Sequence, residues 1–399
     1  MVKEAFTNLT RRTQDVTHVE TVIVGAGPAG LAVAGCLRRA GIPLVILERE
    51  DRVGASWHRH YDRLHLHTDK AHSALPYLPL PKDYPRYPSR DQLVAYLESY
   101  AGHFGLEPRF GQEVLAARLR DGRWQTWTRD TLYLSRFLVM ATGHNARAHL
   151  PKWPGQEAFS GEVVHSSVYK NGAPYRGKRV LVVGFGNSGG EIAVDLFEHG
   201  AMPALSVRGP VNVIPRDVLG LPILAIAIPL EKLPTRLADA LAAPVVRLAF
   251  GNLGRVGLQR AAEGPFGEIE RRGRIPLIDV GTIGLIKKGA IDVRPGVERF
   301  DGQDVVFVDG TRDRYDAVVL ATGYRPTVDA LLERAPLLTD EHGSPCRSGR
   351  EAAQGLYFCG FHVSPTGMLR EIAMEAKRIA TDIASEHAGA LSQREDQSP

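Results

Sequence analysis

Two glycine clusters carry the chemistry that can be read from this sequence. Gly25-x-Gly27-x-x-Gly30 lies near the N-terminus and Gly184-x-Gly186-x-x-Gly189 near the middle. In such a loop the first glycine allows a tight turn. The second lets the backbone approach a pyrophosphate, and the third permits close packing of helix on strand. The pyrophosphate then meets unpaired N–H groups at a helix N-terminus. Glu48 stands 18 residues after Gly30, where a carboxylate can accept from ribose hydroxyls. After the second loop the chain offers no acid at that distance. Ser206 and Arg208 stand there instead, Arg208 19 residues after Gly189. A cation beside a serine suits a ribose 2′-phosphate, so NADPH rather than NADH is expected. The competing reading is a solvated surface arginine. Two dinucleotide sites in one chain point to electrons passing from one bound cofactor to another.

The elements needed to position these loops are legible. Thr21–Val24 is β-branched and runs into Gly25, 27–41 is Ala/Leu-rich and ends at a glycine, and Pro43–Leu47 leads to Glu48. Arg179–Val183 leads into the second loop. Between the two lies Phe159-x-Gly161-x-x-x-His165-x-x-x-Tyr169. A strand followed by Ala-Thr-Gly occurs twice, at Ala141-Thr142-Gly143 and Ala321-Thr322-Gly323, and each can mark a departure from a sheet. Ser89 can cap a helix to Gly102, residues 113–139 are β-rich, and 291–314 suit a small closing sheet. Near the end, a strand finishing at Gly360 precedes a helix whose start, Pro365-Thr366-Gly367, can aim N–H groups at an electron-rich ring. The expected fold is α/β: two Rossmann-like dinucleotide-binding domains, the second inserted into the first. The expected boundaries are a flexible leader at 1–18, the first domain at 19–150 and 315–388, and the second at 151–314 with an apolar insert at 211–285. A disordered tail is expected at 389–399.

Composition narrows the function classes. With 399 residues, 44% hydrophobic, 24% charged and a net charge of +4, the chain suits two globular domains and not a nucleic-acid binder. Cys36, Cys346 and Cys359 form no C-x-x-C, which argues against a disulfide scaffold, a zinc site or a redox dithiol. The polar start is no signal peptide, and the apolar run Val218–Leu230 is too short to span a bilayer, so a reduced, cytoplasmic protein is expected. Five histidines between His58 and His72 lack a carboxylate or thiol placed to complete a metal site, so no metal is expected. Phosphate, flavin-edge or ordinary loop contacts remain for them. Val211–Phe250 is apolar and broken by prolines. It can form a tunnel wall, a homodimer contact or a membrane-touching patch.

These motifs identify a resemblance. The chain resembles the class B flavin-dependent monooxygenases, and among them the plant YUCCA-type indole-3-pyruvate monooxygenases and their bacterial relatives. VIVGAGPAGLA (22–32), YDRLHLHT (61–68), FSGEVVHSSVY (159–169), VLVVGFGNSGGE (180–191), VNVIPRDVLG (211–220), PLIDVG (276–281) and VVLATGY (318–324) occur in the family's order. The resemblance implies FAD in the first site, on Gly25, Gly27, Pro28, Ala29, Gly30, Glu48, Arg49, Trp57, Arg63, Thr142, Gly143, Gly360 and Thr366. It implies NADPH in the second, on Gly184, Gly186, Asn187, Ser188, Gly189, Ser206, Arg208, Thr322 and Gly323. His165 and Tyr169 carry over as the inter-domain signature, and no catalytic side chain is nominated. The implied partners are O2 and a small molecule. The implied reaction passes through a C4a-(hydro)peroxyflavin and decarboxylates a 2-oxo acid such as indole-3-pyruvate to indole-3-acetate. The alternatives are N- or S-oxygenation of a small amine or sulfide, or NADPH oxidation. A 2-oxo acid needs a cation, for which Arg63, Lys70, Arg216 and Arg370 are candidates. The sequence departs from the plant pattern at LHTDK and FHVSPTGMLRE, both expected to face the substrate.

Overall fold

The computed structural model describes residues 15–333 and 335–395. In chain order the main elements begin with β1 (Asp15–Val24), α1 (Pro28–Arg39), β2 (Leu44–Leu47), α2 (Arg90–His103), β3 (Ala116–Arg120), β4 (Arg123–Trp127) and β5 (Thr131–Met140). There follow β6 (Glu162–His165), β7 (Arg179–Val183), α3 (Asn187–Glu198), β8 (Met202–Ser206), α4 (Ile223–Leu230) and α5 (Thr235–Phe250). The chain ends with β9 (Asp292–Arg294), β10 (Ala317–Leu320), β11 (Leu356–Phe358) and α6 (Met368–Glu395).

Two parallel sheets organise them. The first runs β2-β1-β5-β11, with the antiparallel ribbon β3-β4 added to β5. The second runs β9-β8-β7-β10-β6, parallel throughout. Their central strands are apolar on both faces because both are covered: helices pack on one side, and on the other lie the β3-β4 ribbon for the first sheet and the small antiparallel strands of 297–314 for the second. Thr21–Val24, Phe137–Met140 and Val180–Val182 are almost fully buried. One core gathers Leu31 and Leu37 of α1, Leu93 and Tyr100 of α2 and Ile372, Ala376 and Ile379 of α6. Another gathers Val180 and Val182 of β7 with Ile192 and Leu196 of α3. Here the spacing of three and four residues along each helix turns one face to the sheet.

Four sequence-based expectations change. Residues 15–18, assigned to a leader, belong to β1, which pairs residue for residue with β5 from Asp15↔Thr131 onward. Its polar start reflects a half-exposed strand. Residues 1–14 lie outside the described residues. At the other end α6 continues to Glu395, through much of the expected tail, because Ala, Leu, Gln and Glu are good helix formers; 396–399 lie outside the described residues. The strand β10, expected in the first domain, sits in the second sheet between β7 and β6. In the stretch 291–314, β9 joins the parallel sheet and only three later strands form a small antiparallel one.

Candidate active site

The two glycine loops are built alike. Gly25 and Gly184 have φ of +108° and +121°, a region where a side chain is strained. A Cβ on Gly25 would lie 2.6 Å from the Ala141 carbonyl oxygen, and one on Gly184 would lie 2.4 Å from that of Ala321. The repeated Ala-Thr-Gly therefore has a physical role, since each alanine's backbone presses on the first glycine of the neighbouring loop. Cβ atoms on Gly30 and Gly189 would meet the carbonyl oxygens of Gly25 and Gly184 at 1.9 and 2.2 Å. At the middle glycines, Gly27 and Gly186, a Cβ would meet nothing within 4 Å. That open side is where a ligand's phosphates can come.

The helices starting there are left uncapped. Neither α1 nor α3 has a side-chain cap or an acid in its first turn. By contrast, α2 has a full capping box in which Ser89 Oγ accepts from Gln92 N at 3.2 Å and Gln92 Oε1 accepts from Ser89 N at 3.0 Å. Uncapped N–H groups at a glycine loop suit an anion. Glu48 closes the first loop, accepting from Ala26 N at 2.7 Å and Glu50 N at 3.0 Å.

Both helix starts reach one cavity of about 850 Å³. Its walls include Gly25, Gly27, Pro28, Ala29, Glu48, Arg49, Trp57, Thr142, Gly143 and Gly360 from the expected FAD set, and Asn187 and Ser188 from the expected NADPH set. Thr142 Oγ1 is buried with no hydrogen-bond partner, so the wall carries a polar group ready for a ligand. These residues fit an extended dinucleotide. Gly30 contributes by packing. Asn187 is fixed by its Oδ1, which accepts from Ile278 N at 2.8 Å in the PLIDVG stretch. The insert supplies the apolar wall: Leu224 and Leu230 of α4, Leu241 and Val245 of α5, and Phe266 and Ile269 beyond them.

Several other expected site residues lie off this cavity. Ser206 is buried and its Oγ donates to Pro295 O at 2.8 Å, because β8 is an interior strand covered on both faces. Arg208, just past β8, is exposed. Thr322 Oγ1 donates to His149 O at 2.6 Å, and Gly323 O accepts from His165 Nε2 at 3.1 Å. Thr366 is wholly buried, its Oγ1 bonded to Glu371, whereas its neighbours Pro365 and Gly367 line the cavity. None of the four candidate substrate cations lines it either. Arg63 makes a two-pronged pair with Glu198 of α3, at 2.9 and 3.0 Å. Lys70 donates to the carbonyls of Lys82 and Tyr84 and so holds the loop that carries them. Arg216 stacks on Tyr87, with 4.2 Å to the ring centroid, and contacts Asp217. Arg370 donates to Thr366 Oγ1 at 2.9 Å.

The signature residues are structural braces. Burial lowers the pKa of His165, whose ring stands edge-on to Tyr324. Its Nδ1 accepts from Ser167 N at 3.1 Å, so Nε2 carries the hydrogen given to Gly323. Tyr169 donates to buried Asp195 of α3 at 2.6 Å and stacks on Tyr175. The five clustered histidines disperse. His58 pairs with Glu98, His72 with Asp69, and His65 is exposed. His60 lines the cavity, and burial pulls its pKa down to about 4, with Lys170, Arg90 and Arg59 adding to the effect. His67 also lines it, bonded to Glu191 of α3 at 2.7 Å. Sequence reasoning noted these two only as members of a cluster. His144 and Tyr61 also line the cavity and were missed; nothing in their spacing signals it.

Comparisons with known proteins agree with this geometry. The protein family described as pyridine nucleotide-disulphide oxidoreductase matches residues 22–216. The three cysteines here are all free. Indole-3-pyruvate monooxygenase YUCCA1 of Oryza sativa subsp. japonica is 43% identical over 370 residues, covering 91% of this chain and 90% of the relative. Among solved structures, the flavin-containing monooxygenase from Stenotrophomonas maltophilia superimposes with a TM-score of 0.71 at 23% identity, over 94% of this chain and 100% of that one. Cyclohexanone monooxygenase from Rhodococcus sp. Phi1, bound to NADP+, gives a TM-score of 0.72 at 21% identity, over 94% of this chain and 85% of that one.

Proposed function

We propose, on the premise that the chain belongs to the family of YUCCA-type indole-3-pyruvate monooxygenases, that its substrate is a 2-oxo acid such as indole-3-pyruvate. The chain is a flavin monooxygenase, an oxidoreductase of mixed α/β Rossmann-type fold. In the finer reading, FAD lies in the first site and NADPH in the second. The second sheet with its helices then forms a domain inserted into the first. One observation carries this reading: the start of α1 and the start of α3 open on one shared cavity.

When bound, FAD supplies the activation of O2 and NADPH the electrons for it. The chain's own residues bind, orient and exclude water. Gly27 and Gly186 admit the two pyrophosphates, Glu48 takes ribose hydroxyls, and Arg208 takes the 2′-phosphate. Leu224, Leu230, Leu241 and Val245 form a dry wall against which an aromatic side group packs. No helix among the described residues is long and apolar enough to cross a membrane. The free cysteines suit a reduced, cytoplasmic compartment.

The apolar wall and the absence of the four candidate cations from the cavity support a second reading, oxygenation of a neutral amine or sulfide. The discriminating experiment incubates purified yellow protein with NADPH in air and either indole-3-pyruvate or a panel of amines and sulfides. Indole-3-acetate formed in step with NADPH consumption supports the keto-acid reading. Oxygenated amine or sulfide without indole-3-acetate supports the second. Hydrogen peroxide alone would leave an NADPH oxidase.

A further inference from the structure

An anionic substrate in this cavity needs a partner, and the four expected cations face elsewhere. The basic side chains that do line it divide by position. Arg49 and Arg59 both pair with Glu50, two residues beyond Glu48, and so lie at the ribose end of the first site. Burial holds both His60 and His144 low, and His144 Nε2 already meets Phe361 O at 3.1 Å. His67 stands apart from these. Its side chain is 13% exposed, and its Nε2 is 2.7 Å from Oε1 of Glu191, which is itself only 3% exposed. A carboxylate only accepts, so Nε2 carries the hydrogen and Nδ1 is left for a ligand. No group among the described residues is bonded to Nδ1. The next residue, Thr68, lies against Gly367 together with Leu224 of α4. His67 therefore stands where the first site's loop, the start of α6 and the apolar wall converge.

We infer that His67 determines specificity for an anionic substrate: its Nδ1 makes a charge-assisted hydrogen bond with the substrate carboxylate, while Glu191, on Nε2, is the positioning residue that holds the ring. The substrate class is then a 2-oxo acid with an apolar side group, its carboxylate on His67 and its side group on the α4–α5 wall. This rests on the keto-acid reading above and explains how a cavity without lysine can serve it.

The test titrates oxidised holoenzyme with indole-3-pyruvate or with its methyl ester, following the flavin absorbance, so that binding is read without turnover. His67→Ala should weaken binding of the acid about ten- to a hundredfold, as expected for a lost charge-assisted hydrogen bond, and spare the ester. His67→Lys should restore part of the acid's affinity. Glu191→Gln should weaken the acid in the wild-type background and add nothing to His67→Ala. His67→Gln serves should the alanine variant lose FAD. Equal losses for acid and ester, or no loss for either, would overturn the assignment while leaving the keto-acid reading standing. Wild-type enzyme that neither binds nor converts indole-3-pyruvate would overturn both, and that result is visible before any variant is made.

Discussion

Replacing Arg208 with alanine tests the second site most directly. Arg208 is exposed just past β8, and its side-chain stem lies beside Gly296, whose added Cβ would sit 3.5 Å from Arg208 Cγ. No ion pair or hydrogen bond is found for its guanidinium among the described residues. The substitution therefore breaks no hydrogen bond or ion pair found among the described residues, and stability should change by less than about 0.5 kcal/mol. A hydrogen bond from a guanidinium to a phosphate is worth about 1.5–3 kcal/mol. The affinity for NADPH should fall by about ten- to a hundredfold, with NADH unaffected and the preference between them largely lost. The assay is stopped-flow reduction of the bound flavin across a range of each nucleotide, with FAD content measured in parallel. Ser206→Ala is the companion. Its buried hydroxyl serves Pro295 O, so it should cost about 1 kcal/mol of stability and leave the nucleotide preference intact. An Arg208→Ala enzyme that keeps its affinity and preference for NADPH would refute the reasoning, and so would a Ser206→Ala enzyme that loses them.

Three further outcomes follow from the geometry. Gly189→Ala would place a Cβ 2.2 Å from the Gly184 carbonyl, so flavin reduction by NADPH should collapse while FAD content holds; Gly30→Ala, at 1.9 Å from Gly25 O, should lose FAD itself. Arg63→Ala should lower the melting temperature by a few degrees, as for loss of a partly exposed ion pair worth about 1 kcal/mol or less. Because Arg63 faces Glu198 and not the cavity, affinity for the keto acid should not move. His60 is held at about 4 by burial, below its unfolded value near 6.5. The unfolded chain therefore binds the proton first, and stability falls as pH drops from about 6.5 toward 4. Between pH 7 and pH 5 this group alone should cost about 2 kcal/mol, read as a shift in urea midpoint that His60→Asn removes.

What the sequence made legible was what sterics decide locally. Gly25, Gly30, Gly184 and Gly189 are dictated by contacts within a few residues or with the adjacent strand, so their spacing alone carried the reading. Glu48 follows because a short strand leads straight back to the loop it closes. The candidate cations failed for the opposite reason. Arg63 was chosen for its charge, but its direction is set by Glu198, 135 residues away, and the charge alone cannot reveal that. Ser206 was misread for a similar reason: its hydroxyl is committed to Pro295 O, 89 residues away, which its place at the end of a strand cannot reveal. The insert was recognised as apolar with three uses open, and the residues of α4 and α5 line the cavity. His67 hid within a run of histidines, because its partner Glu191 belongs to the other glycine motif.

The pairing of β11 with β5 has a consequence for how the chain is made. Leu356–Phe358 dock beside Leu138–Met140, and α6 then packs over α1. Roughly two hundred residues of chain must therefore be threaded through before the first sheet can close, a loop closure that is slow by its length. The second sheet draws all its strands from 162–320 and can close sooner. During synthesis the earlier half should wait, with one edge of β5 and one face of α1 open, while the later half folds to completion. Chains stopped before residue 356 should therefore retain a folded middle and aggregate through their beginning.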